Sequence, residues 1–233
     1  MSVYKTVDEE AEVAIVIEKS KFIGHVIPIK WHEDSDMSKL AQEAEEFILN
    51  IRNKHKEANH NVPIYVIGNK YEVQKYSDDG EPSKTAGVPV LDMLKKEGIT
   101  NVVLVITRYF GGIKLGTGGL VRAYTNTAKL ALETGKVVQK VKHEIVKIRA
   151  SYTSLGRIQN EMIKHGFIIK DTIFDEGVTL YVYSLLEKTD MLRDIITNIT
   201  NGDGIIEIVA TEYITIESEL AYEKRCTINI NNF

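Results

Sequence analysis

The sequence is poor in several residue types, and each shortage excludes a class of protein. A single cysteine among 233 residues, Cys226, excludes an internal disulfide and a thiolate metal cluster. No apolar run approaches the ~18 residues of a membrane-spanning helix, and the N-terminus lacks the charged-then-apolar pattern of a secretion signal. A formal net charge of −4 excludes a basic coat over the whole surface. We therefore expect a cytoplasmic protein without membrane contact, in which any nucleic-acid contact uses a local patch.

Acidic residues are absent from Gly98 to Leu132, and the centre of this interval is rich in glycine. Thr107–Tyr124 reads TRYFGGIKLGTGGLVRAY and holds three cations, which are Arg108, Lys114 and Arg122. The apolar spacing predicts a strand over Asn101–Thr107 and a helix from Leu120 to Glu133. Glycine lets backbone N–H groups approach a partner closely, and a helix N-terminus attracts anions. The segment thus predicts an anion-binding site, and the alternative is a tight strand-to-helix connection with solvated arginines.

Three carboxylates crowd into four residues of a long polar loop predicted over Gly68–Lys84. They are Asp78, Asp79 and Glu81. Because like charges repel, a compensating partner is expected, and three interpretations remain open. The acids would pair with Arg108 or Arg122 and link the two loops, form a solvated turn, or serve as catalytic bases or metal ligands. The linking role ranks first and catalysis last, because no second acid cluster lies nearby in sequence.

Standard catalytic and cofactor signatures fail against this sequence. Thr117 stands where a Walker phosphate loop requires lysine, and Val121 interrupts the dinucleotide-binding glycine pattern. There is no nucleophile elbow and no zinc-binding helix motif, so we expect no cofactor and no metal. Aromatic residues lie beside the cations and would stack on bases of single-stranded nucleic acid. Phe110, however, is expected to fill the core beneath the loop.

The remaining elements follow from hydrophobic periodicity and turn residues. In the first half, the pattern predicts a hairpin of Glu12–Glu18 with Phe22–Lys30, a helix from Ser35 or Asp36 to His55, a strand at Val62–Ile67, a helix at Val88–Glu97 that ends at Gly98, and a linker at Lys136–Lys142. The second half predicts the order β-α-β-β-α-β, with the first helix ended by Gly166, and this order is the ferredoxin-like unit.

Several of these stretches together resemble the YigZ/IMPACT family. The shared residues are Asp78-Asp79-Gly80-Glu81-Pro82, Thr85-Ala86-Gly87, the segment from Arg108 to Tyr124, Lys19-Ser20-Lys21-Phe22-Ile23 and Ala58-Asn59-His60-Asn61. The sequence departs from the family pattern at Lys84, where the family usually has glycine, and at Val62-Pro63-Ile64-Tyr65.

The resemblance implies an α+β protein of two domains. Residues 1–137 would form an IMPACT-type domain with the left-handed βαβ fold of ribosomal protein S-five domain two, which also occurs in domain four of elongation factor G and in small-molecule kinases. Residues 138–233 would form a ferredoxin-like domain resembling domain five of the same factor. Bacterial members are similar to ribosome-associated proteins. Eukaryotic members regulate translation by competing for a protein activator of a stress kinase, but they carry a different additional domain, so that partner does not transfer to this chain. A protein partner in translation control is a separate expectation.

The leading hypothesis is a non-catalytic protein that binds RNA or the ribosome and regulates translation. The expected contacts to RNA phosphates are Arg108, Lys114, Gly116, Thr117, Gly118, Gly119 and Arg122. The alternative is an enzyme that acts on a phosphorylated or anionic small molecule, in which the catalytic candidates are Asp78, Asp79 and Glu81.

Overall fold

The structure, a computed structural model, describes residues 3–216 and divides into two compact units. One unit is Tyr4–Gln139, and the other combines Val3 with residues 140–216. The predicted α+β class with two domains is confirmed. Cys226, expected to be a bystander, lies outside the described residues.

The N-terminal unit holds most of the residues singled out by the sequence. Its elements in chain order are β1 (Val3–Val7), β2 (Ala11–Ile17), β3 (Ser20–Pro28), α1 (Met37–Lys54), β4 (His60–Ile67), β5 (Val73–Tyr76), α2 (Gly87–Glu97), β6 (Val102–Tyr109) and α3 (Gly116–Thr134).

Five of these strands form one antiparallel sheet in the order β2-β3-β6-β4-β5. Strands β3 and β4 are each antiparallel to the central β6, so they run in the same direction. Helix α1 connects them, which gives a β-α-β crossover with β6 inserted between its two strands. The ends of β3, β4 and β6 are thereby brought together near Arg108, which is paired in register with Phe22 and His60.

Helices cover both faces of this sheet. Helices α2 and α3 pack on one face over a core that includes Phe22, Ile64, Leu94, Leu104 and Tyr124. Helix α1 contacts β4 and β6, but its buried residues do not belong to that core, so α1 lies on the opposite face. Gly24 permits the close approach of α3, since a Cβ there would lie 3.0 Å from that of Ala131.

The C-terminal unit follows the predicted order β-α-β-β-α-β. Its elements are β7 (Val137–Ala150), α4 (Leu155–His165), β8 (Ile168–Phe174), β9 (Val178–Leu185), α5 (Thr189–Thr200) and β10 (Ile205–Ile216). Strand β9 pairs with β7 and β8, and β10 pairs with β7. Its core joins Ile148, Leu180 and Val182 of the strands to Ile158 and Ile196 of the helices.

Several predicted boundaries are wrong. Helix α3 begins at Gly116 rather than at Leu120, so the glycines expected in a loop form its first turn. The predicted linker at Lys136–Lys142 lies almost entirely within β7, and the predicted polar loop contains the edge strand β5. The helix ends at Gly98 and Gly166 are confirmed, and both glycines are left-handed.

Candidate nucleic-acid interface

The segment between β6 and α3 is held against the turn that joins β2 to β3. A Cβ on Gly111 would lie 2.0 Å from the carbonyl carbon of Lys19, so only glycine allows this approach. The Gly111 N–H donates to Ser20 Oγ at 3.1 Å. One residue earlier, the Phe110 N–H donates to Asn59 Oδ1 at 2.7 Å. The start of the strand-to-helix connection is therefore a fixed part of the fold.

The first backbone N–H groups of α3 are not capped by a side chain. Leu115 occupies the N-cap position and makes no side-chain cap, and the first turn contains no acid. Gly116 begins the helix with a φ of +69°, a conformation that favours glycine. Gly116, Thr117 and Gly118 are exposed, and Gly119 is half-buried. These N–H groups and the helix dipole create a positive end that faces solvent.

Gly118 is a glycine that the fold does not require. A Cβ at this position would meet nothing closer than the Arg122 guanidinium at 3.9 Å, and its backbone is not left-handed. A helix interior disfavours glycine by about 0.5–1 kcal/mol relative to alanine. The sequence therefore carries a cost here that packing does not explain, whereas close approach of a ligand to the backbone would explain it.

A shallow groove of about 700 Å³ runs beside this helix end. Its polar lining includes Lys114, Arg122, Asn126 and Lys129, with Glu18 as the acidic residue. Within residues 3–216, no carboxylate lies within ion-pair distance of Lys114, Arg122 or Lys129, and all three are exposed. These cations are thus available to an external anion.

Arg108 is not part of this exposed cationic surface, and the expectation that it contacts RNA phosphates is wrong. The residue is 5% exposed and lies on the sheet face covered by α2 and α3. Its Nη1 donates to Glu81 Oε1 at 2.6 Å, and its guanidinium lies 5.3 Å from the Phe22 ring centre and 5.5 Å from that of Phe110. A guanidinium so enclosed has no access to a phosphate.

Glu81 is the acceptor at the centre of a buried polar network. Its Oε1 accepts from Arg108 and from the Tyr124 hydroxyl, the latter at 2.8 Å. Burial, followed by the nearby Glu81 charge, raises the pKa of Tyr124, so this hydroxyl stays protonated and keeps donating. His60 Nε2 lies 3.7 Å from the same oxygen. The acidic loop is therefore connected to β6 and α3 by one carboxylate.

Asp78 caps helix α2 from outside the helix. Its Oδ1 accepts from the backbone N–H groups of Ala86 at 3.1 Å and Gly87 at 2.8 Å, and its Oδ2 accepts from Lys84 N–H at 2.8 Å. Ala86 occupies the N-cap position and has no side chain that could do this. The carboxylate thus supplies the helix end with both acceptors and favourable charge.

Asp79 connects the same loop to α1 and β4. One carboxylate oxygen accepts from Arg52 Nη2 at 2.9 Å and the other from the Asn61 N–H at 2.6 Å. The Asp79 carbonyl oxygen lies 2.8 Å from His60 Nδ1. Of the three acids, Glu81 contacts a cation of the glycine-rich segment, whereas Asp78 and Asp79 contact other groups. Neither Lys114 nor Arg122 pairs with any of them.

The contacts of these three acids do not favour a catalytic role for them. Each carboxylate is bonded to groups of the chain itself, and no trio of His, Cys, Asp or Glu among residues 3–216 is arranged to hold a metal ion.

Phe110, expected in the core, is instead 46% exposed.

Sequence reasoning missed several residues of the site. Ser20, His60 and Asn61 stand in stretches shared with the family, but their roles were not predicted, and Arg52 of α1 carries no local signal. Lys129 carried a signal, since it stands seven residues after Arg122 and therefore lies on the same side of α3.

Comparison with known proteins gives the family. Residues 18–132 match the Impact N-terminal domain, and residues 148–203 match a domain of unknown function (DUF1949). The chain is 40% identical over 227 residues to the IMPACT family member YvyE of Bacillus subtilis (strain 168), which covers 97% of this chain and 96% of the relative. The chain belongs to the IMPACT family.

Other members of the IMPACT family are similar over shorter stretches. The Escherichia coli (strain K12) member YigZ is 35% identical over 153 residues, which is 64% of this chain and 71% of the relative. The Haemophilus influenzae member is 32% identical over 196 residues, which is 83% of this chain and 90% of the relative. A crystal structure of a hypothetical protein matches with a TM-score of 0.54 and 25% identity, and the match covers 90% of this chain and 98% of the chain in that structure.

Within residues 3–216, no helix has the length and apolar character needed to span a bilayer.

Proposed function

We propose that this IMPACT family protein is a non-catalytic, cytoplasmic RNA-binding protein that associates with the ribosome and regulates translation. The basic groove formed by Lys114, Arg122 and Lys129 with the N-terminus of α3 would hold the RNA backbone. The C-terminal unit would supply a second docking surface, and a protein partner in translation control would act on the same complex.

The observation that carries this proposal is the extended row of available cations. Arg122 and Lys129 stand seven residues apart on one helix, which is ~10 Å along its axis. A row of this length can contact successive phosphates of a polynucleotide, and binding of one phosphate does not require it. Within residues 3–216 these side chains form no ion pair, so an external phosphate would not have to displace an acid from them.

An enzyme acting on a small anionic molecule has less support. That alternative uses Asp78, Asp79 or Glu81 as base or metal ligand, yet these groups cap α2, bind Arg52 and bind Arg108. Catalysis through them would require a helix cap or a buried ion pair to be given up.

The test is the affinity of two variants, Arg122→Ala and Lys129→Ala, for purified ribosomes and for ribosomal RNA. Each should weaken binding up to about fivefold, because a charge pair at an exposed site contributes up to about 1 kcal/mol. Matched controls are Lys39→Ala and Lys96→Ala, which remove exposed helical cations elsewhere in the N-terminal unit. Equal affinity for the groove variants and the controls would remove the groove from the function.

A further inference from the structure

The side chain of Phe110 forms the solvent-exposed end of a short stack. The Arg108 guanidinium lies between two rings, with Phe22 at 5.3 Å and Phe110 at 5.5 Å from their centres. Phe22 is fully buried and meets Tyr124 edge-on, at a ring separation of 5.3 Å. Phe110 is 46% exposed. The stack is therefore closed at Phe22 and open to solvent at Phe110.

The position of the Phe110 ring is set before any ligand arrives. Its backbone N–H is bonded to Asn59 Oδ1, and Gly111 is pressed against the main chain of Lys19. On the inner side, the guanidinium that supports the ring is itself fixed by Glu81. A ligand that lands on such a ring loses little affinity to ordering of the protein.

We propose that the exposed face of Phe110 is a stacking platform for an unpaired base, so that the ligand class is single-stranded RNA. This inference rests on the proposed function and goes further, because phosphate contacts alone do not distinguish single strands from duplexes. A flat aromatic face held over a cation suits a nucleobase, and only an unpaired base can reach it.

The chemistry around Phe110 favours a nucleic acid over a protein partner. Lys114 follows four residues later and is exposed, and no acid occurs in the chain from Gly98 to Leu132. A base on Phe110 would therefore have a cation of the same exposed segment available to its phosphates. An apolar protein pocket would gain nothing from these charges.

The experiment compares Phe110→Leu with the parent protein on one RNA oligonucleotide, presented either as a single strand or annealed to its complement. We expect Phe110→Leu to weaken single-strand binding roughly 5- to 150-fold, since stacking contributes about 1–3 kcal/mol per base. Duplex binding should be unchanged. The control is Tyr76→Leu, which removes a ring of the same exposure, 46%, from the edge strand β5 of the N-terminal unit.

A second variant, Phe110→Trp, keeps the aromatic face and reports on it directly. Its added fluorescence should be quenched by the single strand but not by the duplex, above a background from Trp31, which is buried. This variant decides the matter if Phe110→Leu proves unstable by urea unfolding.

The outcomes separate this inference from the proposed function. Unchanged single-strand affinity of Phe110→Leu, with Arg122→Ala still defective, overturns the stacking platform and leaves RNA binding in place. If Arg122→Ala has no effect either, the RNA function itself fails. If Phe110→Leu loses affinity for ribosomes but for neither form of the RNA, Phe110 docks on protein and the inference is wrong.

Discussion

Among single residues, Glu81 connects the acidic loop to the rest of the N-terminal unit. The ion pair that it forms with Arg108 is buried on both sides, with side chains 3% and 6% exposed. Burial of two charges is itself costly, so the pair is not evidence of extra stability. Removal of only one of the two charges destabilises the protein, because the remaining charge stays buried without its partner.

Glu81→Gln is therefore expected to destabilise the protein by about 3–5 kcal/mol, the cost of breaking a buried pair from one side. Tyr124→Phe removes one donor to the same oxygen and should cost about 1.5–3 kcal/mol, as for a hydrogen bond to a charged group. Urea unfolding of both variants measures these differences. Glu9→Gln serves as control, since its pair with Lys136 is exposed on both sides. A Glu81→Gln variant as stable as the control would contradict the role given to Glu81.

His25 makes the stability of the N-terminal unit depend on pH. Burial lowers the pKa of His25 to about 4, against an opposing effect of Glu12, whose carboxylate lies 3.3 Å from Nδ1, while His55 and Lys54 add to the lowering. Between about pH 6.5 and pH 4 the unfolded chain binds a proton here that the folded chain does not. Stability is thus lost as the pH falls through this window.

We expect the free energy of unfolding to fall between pH 7 and pH 5, and to fall less in His25→Gln. Some loss should persist in the variant, because burial also lowers the pKa of His55 and His143. Denaturant titrations at the two pH values provide the comparison. The same loss in parent and variant would show that His25 is not the source.

Substitution of Gly118 should have opposite effects on folding stability and on RNA affinity. Its φ suits any residue and a Cβ finds open space, so Gly118→Ala should raise stability by about 0.4–1 kcal/mol through a less flexible unfolded chain. The same methyl group would obstruct a phosphate that approaches the backbone and should weaken RNA binding. Thermal melting and RNA affinity, measured on one preparation, test both halves. A more stable variant with undiminished affinity would mean that no ligand approaches Gly118 closely.

The sequence revealed some of these residues and concealed others for a physical reason. The carboxylates of the acidic loop and the cations of the glycine-rich segment stand out because like charges cluster within a few positions. Arg52, His60 and Asn61 come from other elements, and only the three-dimensional fold brings them to Asp79. The prediction that Phe110 lies in the core follows the usual position of aromatic residues, whereas the contact of Gly111 with Lys19 holds it at the surface.

Among the elements, α2 depends on a capping group that lies outside it. Asp78 accepts three backbone N–H groups at this helix start. Asp78→Ala leaves those donors without the acceptor and should destabilise the protein by about 1–3 kcal/mol. Asp92→Ala, on the exposed side of the same helix, should change stability by less than about 0.5 kcal/mol. The comparison uses urea unfolding, and equal effects of the two substitutions would refute the capping role.

The elements that were predicted well have strong local signals. Helices α2 and α4 end at left-handed glycines, Gly98 and Gly166, and their apolar faces repeat at helical spacing. The start of α3 was missed because three glycines in its first four residues oppose helix formation locally, and packing of the later turns against β2 and β3 overrides them. Strand β5 was missed because it is a four-residue edge strand with mostly polar residues.

For the molecule as a whole, the net charge is small, but positive charge is concentrated in one place. The net charge is −4, yet Lys114, Arg122 and Lys129 line one groove without ion pairs among residues 3–216. Family membership fixes the two-domain architecture and leaves the ligand to be determined. RNA binding by this protein therefore requires that these cations neutralise phosphates, and this property has a direct thermodynamic signature.

That signature is the dependence of affinity on salt. For single-stranded RNA, the slope of log K against log salt concentration is about −0.7 for each phosphate that is neutralised. With three cations in contact, the parent protein should give a slope of about −2. The variant that combines Lys114→Ala, Arg122→Ala and Lys129→Ala should give a slope near zero, with its fold verified by circular dichroism. A triple variant that retains the parental slope would contradict the account.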